Sequence, residues 1–93
     1  MLIIVITLDE HGKFLDMEQM TAEIFDHHYD FDFYEAAPEY VFQNEDLVAF
    51  SDIYAANLWL YAHRRTLGLT PKQFDELTGK VSKAFEDERN VDA

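Results

Sequence analysis

The chain opens with an apolar run, which is followed by a short polar segment and then by further apolar residues. Residues 2–8 are apolar except for Thr7, a pattern typical of a buried strand. The polar segment 9–13 contains Gly12, which can take the left-handed conformation that a tight turn requires. We therefore predict a β-hairpin that returns into a strand starting at Phe14.

The next segment, residues 16–28, has the features of a helix that begins at a polar cap. Asp16 is a suitable N-cap, and Gln19 stands three residues later, as in a capping box. The apolar residues of the segment share one side of such a helix: Met17, Met20, Ile24 and Phe25. The residues expected to face solvent are Glu18, Ala22, Glu23 and Asp26. This helix should add to the acidic surface of the protein.

A strand and a second hairpin are predicted in the middle of the chain. Residues 30–35 alternate between acidic and aromatic side chains, so that Asp30 and Asp32 should share a solvent-facing side. The apolar segments 40–43 and 47–50 flank a short polar turn, as in a hairpin. Together with the first hairpin they predict a sheet of about four or five short strands.

A helix is predicted over residues 52–67, with Ser51 as its cap and Gly68 directly after its end. Its large apolar residues cover most of its circumference: Ile53, Tyr54, Leu58, Trp59, Leu60 and Tyr61. Such a helix is either a core helix or half core and half interface. Burial in the core is favoured because large apolar side chains are most often buried, and Trp59 is expected there.

A last helix is predicted over residues 70–88. Thr70 is a suitable N-cap, Pro71 occupies the first helical position, and Gln73 completes a capping-box pattern. The apolar residues keep one helical phase on both sides of Gly79: Phe74, Leu77, Val81 and Phe85. We therefore predict one helix that passes through this glycine, at a cost of about 1 kcal/mol relative to alanine.

These elements predict an α+β fold in a single domain of residues 1–93. The sheet should be small, mostly antiparallel and built from two hairpins, and about three helices should pack against it. The last two helices should form a helical hairpin, because only a short segment around Gly68 separates them.

The charge of the chain is strongly negative and unevenly distributed. The formal net charge is −12, from 19 acidic and seven basic residues. Residues 1–52 contain 13 of the acids and a single base, Lys13, whereas residues 53–93 contain six of each. This asymmetry favours an electropositive partner for the first half, although an acidic face can also serve solubility alone.

The composition also bears on the compartment. The chain has no cysteine, which suits a reducing compartment. The apolar run 2–8 lacks a preceding basic segment and is far too short to cross a bilayer. A cytoplasmic protein without a membrane partner is therefore expected.

Asp26-His27-His28 resembles the signature of the DHH phosphoesterases. The metal site of that family also needs further aspartate motifs upstream, and these are missing here. Neighbouring side chains on a helix diverge, so that these residues and Asp30 are poorly placed to converge on one ion. The pattern is also typical of a helix end, where histidines lie near the negative pole of the helix dipole. We expect no metal site at this position.

Residues 64–79 resemble the first part of an Xre-type helix-turn-helix, in which a leading helix ends at Leu-Gly-Leu-Thr and a second helix ends near Leu-Thr-Gly. The resemblance implies a recognition helix over residues 82–89. Asp75 stands where that family usually has a small residue, and the segment 82–89 is rich in acids, which would repel phosphates. Helix capping alone accounts for most of the pattern.

Catalysis is not expected from the sequence. The carboxylates Asp30 and Asp32 should lie exposed and side by side, with nothing nearby to raise the pKa of only one of them. The three glycines are isolated, so that no phosphate-binding loop is predicted. No cofactor is expected.

Recognition of another protein is the function that remains. The leading hypothesis is a small acidic protein-binding inhibitor, a nucleic-acid mimic of phage or mobile-element origin and of the anti-CRISPR or anti-restriction type. Its partner would be a basic protein such as a nuclease or another nucleic-acid-binding protein, and it would not bind nucleic acid directly. The candidate partner-binding residues are Glu23, Asp26, Asp30, Asp32, Glu35, Glu39, Glu45 and Asp46.

Two alternatives remain open at this stage. One is an antitoxin or immunity protein that neutralises a basic toxin. The other is a DNA-binding regulator that uses the helix-turn-helix segment 64–79. The oligomeric state does not follow from the sequence.

Overall fold

The computed structural model describes residues 2–29 and 41–91 of the chain. Four strands and three helices occur in these two ranges. In chain order they are β1 (Leu2–Leu8), β2 (Phe14–Thr21), α1 (Ala22–Tyr29), β3 (Val41–Gln43), β4 (Leu47–Phe50), α2 (Ile53–His63) and α3 (Pro71–Val91). The strands form one antiparallel sheet in the order β2-β1-β4-β3. The predicted α+β fold is confirmed.

Strand β1 is the centre of the molecule, because both of its faces are buried. Ile3 and Val5 face one cluster, to which α1 contributes Phe25. Ile4 and Ile6 face the other cluster, to which α2 and α3 contribute side chains. The fold therefore has three layers, and we call the two outer ones the α1 side and the α2–α3 side of the sheet.

Both predicted hairpins are confirmed. The first joins β1 to β2, and Gly12 in its turn has a φ of 76°, the left-handed value that glycine accommodates best. The second joins β3 to β4 through a turn in which the side chain of Asn44 accepts hydrogen bonds from the backbone N–H groups of Asp46 and Leu47. This bonding fixes the turn, as asparagine commonly does.

The prediction of a helix over residues 16–28 is wrong in its first half. Residues up to Thr21 belong to β2, and the helix covers only Ala22–Tyr29. Thr21 is the residue that caps it, because its hydroxyl accepts a hydrogen bond of 3.2 Å from the N–H of Ile24. The strand forms despite the local capping pattern because pairing with β1 satisfies the hydrogen bonds of the backbone N–H and C=O groups along it. A short helix, by contrast, is only marginally stable without tertiary contacts.

The shorter helix also changes which residues of α1 are buried. Ala22 and Phe25 are buried, although Ala22 was expected to face solvent. Ile24 was expected on the apolar side, but 57% of its surface is exposed. Glu23 is exposed, as predicted.

Helix α2 begins at Ile53, one residue later than predicted, and ends at His63 instead of residue 67. Asp52, not Ser51, is the N-cap, and its carboxylate accepts a hydrogen bond of 3.0 Å from the N–H of Ala55. The helix ends at His63, and a turn leads to Gly68, whose φ of 74° agrees with its predicted place after a helix. Trp59 is only half-buried and packs at the edge of the core cluster, so that its expected central position is wrong.

Helix α3 confirms the predicted capping box and the predicted continuity. The N–H of Gln73 donates to the hydroxyl of Thr70 at 3.1 Å, and the N–H of Thr70 donates to the amide oxygen of Gln73 at 2.9 Å. The helix runs without a break from Pro71 to Val91 and packs against α2 as a helical hairpin.

This continuity bears on the helix-turn-helix resemblance. A second helix ending near Gly79 and a separate recognition helix over residues 82–89 would be required. One helix, Pro71–Val91, covers both segments instead. The arrangement that the resemblance implies is therefore not formed by residues 64–91.

Some sequence predictions lie outside the described residues. These are the strand over residues 30–35 and the residue Tyr40 of the second hairpin. Within residues 2–29 and 41–91, no helix combines the length and the apolar character needed to cross a membrane.

Candidate protein-binding surface

The sheet separates the acidic part of the protein from its cations. The Lys and Arg residues other than Lys13 all lie at or after position 64, in or next to α2 and α3, where five acids of α3 nearly balance their charge. Helix α1 and strand β2 carry acids and no Lys or Arg. The asymmetry along the chain thus becomes an asymmetry across the sheet.

Asp16 and Glu18 form a pair of carboxylates on strand β2. Glu18 lies opposite Val5 on the α1 side, whereas Asp16, opposite Thr7 and next to an irregularity in the ladder, lines a pocket with Met17 and with Lys80 of α3. Both are exposed, and residues two apart on a strand are about 6.7 Å apart along it. The strand therefore holds two negative charges at a fixed spacing.

Glu18 is close enough to helix α1 to influence it. Burial raises the pKa of the Tyr29 hydroxyl above its usual value, and the negative charge of Glu18 raises it further. Tyr29 is the last residue of α1 and packs with its ring centroid 4.7 Å from that of Phe25. Glu18 of β2 thus lies on the same side of the molecule as the acids of α1. Together with Asp16 at the edge of the sheet, these acids form the surface that we call the acidic side: Asp16, Glu18, Glu23 and Asp26.

A second group of acids lies at one end of the sheet, where the two hairpin turns meet. The N–H of Leu8 donates to the carbonyl of Asp46 at 2.7 Å, which brings the turns together. Asp9 and Glu10 occupy the first turn, and Glu45 and Asp46 occupy the second. We call these four residues the acidic tip.

Lys13, the one base of the first half, points away from the acidic side. A methyl group placed on Gly68 would lie 3.5 Å from Lys13 Cδ, so that the lysine side chain runs along the turn between α2 and α3. The neighbouring N–H of Phe14 donates to the carbonyl of Leu67 in the same turn at 3.2 Å. The lysine is thus held toward the α2–α3 side, away from helix α1.

Asp9 has a structural role within the tip. Its Oδ1 atom accepts hydrogen bonds of 2.8 Å from the N–H groups of His11 and Lys13. The bond from Lys13 is the largest cause that lowers the pKa of Asp9, burial opposes it, and the bond from His11 and the nearby positive charges add to the lowering.

The lowered pKa of Asp9 leads to a prediction on pH. The ionised form should stabilise the turn at neutral pH, and this contribution should be lost as the pH falls through the pKa of the folded protein. In an NMR titration, the pKa of the Asp9 carboxyl should lie below the usual aspartate value of 3.8. Hydrogen exchange at the N–H groups of His11 and Lys13 should accelerate over the same pH range, whereas Asp9→Asn should remove this pH dependence. A titration midpoint at the usual aspartate value of 3.8 would contradict the assignment.

Four of the predicted partner-binding residues lie in the described part of the chain. Glu23, Glu45 and Asp46 are exposed, and Asp26 is half-buried and engaged in a contact. The remaining candidates lie outside the described residues: Asp30, Asp32, Glu35 and Glu39. Their part in binding stays a prediction.

Neither Asp16 nor Glu18 is among the partner-binding residues predicted from the sequence, although Glu18 was expected to face solvent on a helix. Their period-two spacing around Met17 is the same signal that pointed to a strand at residues 30–35. The capping pattern of Asp16 with Gln19 competes with that signal and favours a helix. The two acids of the first turn, Asp9 and Glu10, were treated only as turn residues.

The histidines at the end of α1 do not take part in a metal-binding cluster of the described residues. His27 and His28 are exposed in the last turn of the helix. In residues 2–29 and 41–91, no three His, Asp or Glu side chains come together in a way that would hold a metal ion.

Comparison of the chain with protein-family models, with curated proteins and with solved structures gave no match. The acidic side and the acidic tip are therefore interpreted from their own geometry and charge.

Proposed function

We propose that this protein is a binding inhibitor whose acidic side occupies a basic, nucleic-acid-binding surface of another protein. The observation that carries the proposal is the separation of charge across the sheet. Acids without Lys or Arg lie on α1 and β2, and the cations lie on the α2–α3 side. A basic groove is the complement of such a side.

The fold supports this role by holding the carboxylates in place. Asp16 and Glu18 project from a strand that is paired with the central β1, so that little ordering entropy is lost when they bind. Their spacing of about 6.7 Å corresponds to about two phosphate steps of a nucleic-acid strand, at about 3.4 Å per phosphate along the helix axis. A protein that binds phosphates should therefore bind this surface, and the negative electrostatic field should increase the association rate of the two proteins.

Two variants of equal net charge distinguish an effect of the acidic side on binding from an effect of net charge alone. The first, Asp16→Asn/Glu18→Gln/Glu23→Gln, removes three exposed acids of the acidic side. The matched control, Asp75→Asn/Glu76→Gln/Glu86→Gln, removes three exposed acids of helix α3. Both lower the net negative charge by three and nearly preserve side-chain shape. Both should melt within a few degrees of the wild-type protein, because exposed carboxylates contribute little to stability.

The binding experiment uses a basic nucleic-acid-binding protein that the immobilised wild-type chain retains at low salt. We expect the wild-type protein to displace a fluorescent DNA duplex from this partner, and its affinity to fall steeply with added salt. The acidic-side variant should associate about tenfold more slowly and show a weaker salt dependence, whereas the α3 control should behave as wild type.

Two outcomes would contradict the proposal. Equal losses in both variants would show that only net charge matters. Binding that leaves the DNA duplex in place would show that the partner's nucleic-acid site is not the target, as expected for an immunity protein that covers a different surface of a basic toxin.

A further inference from the structure

Helix α2 exposes a stripe of large side chains on the face that points away from the sheet. Tyr54 is 78% exposed, Leu58 is 70% exposed and Tyr61 is 58% exposed. Their spacing of four and three residues puts them on one face of the helix. Ala56 and Leu60 are fully buried on the opposite face. Tyrosine and leucine side chains with this exposure have an apolar surface left to bury.

Among the described residues, the stripe is a part of the surface where two copies of this chain can meet without opposing their acids. Helix α2, Ile53–His63, contains no Asp, Glu, Lys or Arg, in a chain with a net charge of −12. The charged residues stand at its two ends and have opposite signs: Asp52 precedes the helix, and Arg64 and Arg65 follow it. An antiparallel pair of such helices brings each acidic end to a basic end.

We propose that a second copy of this chain docks on the stripe, with the two α2 helices antiparallel about a two-fold axis at Leu58. In this register Asp52 faces Arg64 of the partner subunit, and Tyr54 lies within one helical position of Tyr61 of the partner subunit. The guanidinium of Arg64 already lies 4.2 Å from the centre of its own Tyr61 ring. The incoming tyrosine adds a second aromatic ring to this cation–π pair. The contact is isologous, as in most homodimers.

The size of the stripe determines how strong the dimer is. An 11-residue helix is about 16 Å long, and the face it offers is smaller than the roughly 800 Å² that each partner buries in a standard interface. The dimer is therefore weak, and its population depends on protein concentration. Because the stripe lies on the α2–α3 side, the dimer leaves both acidic sides free and facing outward.

The first test measures mass as a function of concentration. Sedimentation equilibrium of the wild-type chain, from low micromolar to millimolar concentration, should show a shift from the monomer mass of 10.9 kDa toward twice that value. Leu58→Glu places two like charges against each other at the axis and should weaken the dimer by about tenfold or more. Ile24→Glu is the matched control, because it adds the same charge at a 57% exposed apolar position on the α1 side and should leave the dimer unchanged.

The second test reads the register directly and does not depend on affinity. The chain has no cysteine, so that a single introduced thiol can form a disulfide only with the same thiol of a second copy. Leu58→Cys should form a disulfide-linked dimer under mild oxidation, and Ile24→Cys should stay largely monomeric. Asp52→Asn keeps an acceptor for the N-cap hydrogen bond and removes the charge, and it should weaken the dimer.

The proposal is overturned if the wild-type chain stays monomeric up to millimolar concentration, or if Leu58→Cys crosslinks no faster than Ile24→Cys. It is also overturned if Leu58→Glu and Ile24→Glu change the dimer equally. These experiments use the protein alone, so that their failure leaves the proposed binding by the acidic side untouched.

Discussion

Phe50→Ala should leave the protein close to unfolding at room temperature. Phe50 is fully buried on strand β4, between Ile4 of β1 and the helices of the α2–α3 side. Its ring centroid lies 5.6 Å from that of Trp59. Truncation removes this contact and opens a cavity, at a cost of about 3–5 kcal/mol. Small domains have only roughly 5–15 kcal/mol of stability in total.

Urea denaturation followed by circular dichroism measures this loss. Tyr54→Ala is the control, because Tyr54 lies on the helix that packs over Phe50 but is itself 78% exposed. At low micromolar concentration, where self-association is negligible, Tyr54→Ala should change the free energy of unfolding by about 0.5 kcal/mol or less. A loss in Tyr54→Ala as large as that in Phe50→Ala would show that α2 packs through the opposite face.

Phe25→Ala should destabilise the α1 side of the molecule by a similar amount. Phe25 is fully buried, and its ring contacts those of Tyr29 and Phe42 at centroid distances of 4.7 Å and 6.5 Å. It anchors α1 to the sheet, and we expect a loss of about 3–5 kcal/mol in the free energy of unfolding. Because α1 carries Glu23, partner binding should fall at denaturant concentrations at which the wild-type protein still binds.

The neighbouring Ile24 provides a strict control for this prediction. Its side chain is 57% exposed, so that Ile24→Ala should cost about 1 kcal/mol or less. Equal losses for Phe25→Ala and Ile24→Ala in the same denaturation experiment would contradict the helix register of α1 described above. The sequence pattern alone places both residues on the apolar side of a longer helix and does not distinguish them.

Features that depend on a few neighbouring residues could be predicted from the sequence. Gly12 and Gly68 have the left-handed conformations expected of them, because a turn and a helix end each need a residue without a side chain at that point. Thr70 and Gln73 form the predicted capping box, since both partners of each hydrogen bond lie within three positions. The fold class follows in the same way, from the order of strand and helix patterns.

Where local preferences compete, contacts between distant parts of the chain select the conformation. Residues 16–21 carry both a capping pattern and a period-two pattern, and pairing with β1 selects the strand. That choice converts Asp16 from a helix cap into one of a pair of carboxylates on the acidic side. Helix α2 has large apolar side chains around most of its circumference, and only packing against β4 and α3 decides that Tyr54 and Leu58 face outward.

The candidate site likewise depends partly on the sequence and partly on the fold. The sequence fixes the unequal numbers of acids and bases in residues 1–52 and 53–93, because charge is a property of the residues themselves. Only the fold turns this inequality into a surface. Both faces of β1 are buried, and α1 covers one face while α2 and α3 cover the other. Helix α1 of the acidic half and the two helices of the charge-balanced half therefore lie on opposite sides of one sheet.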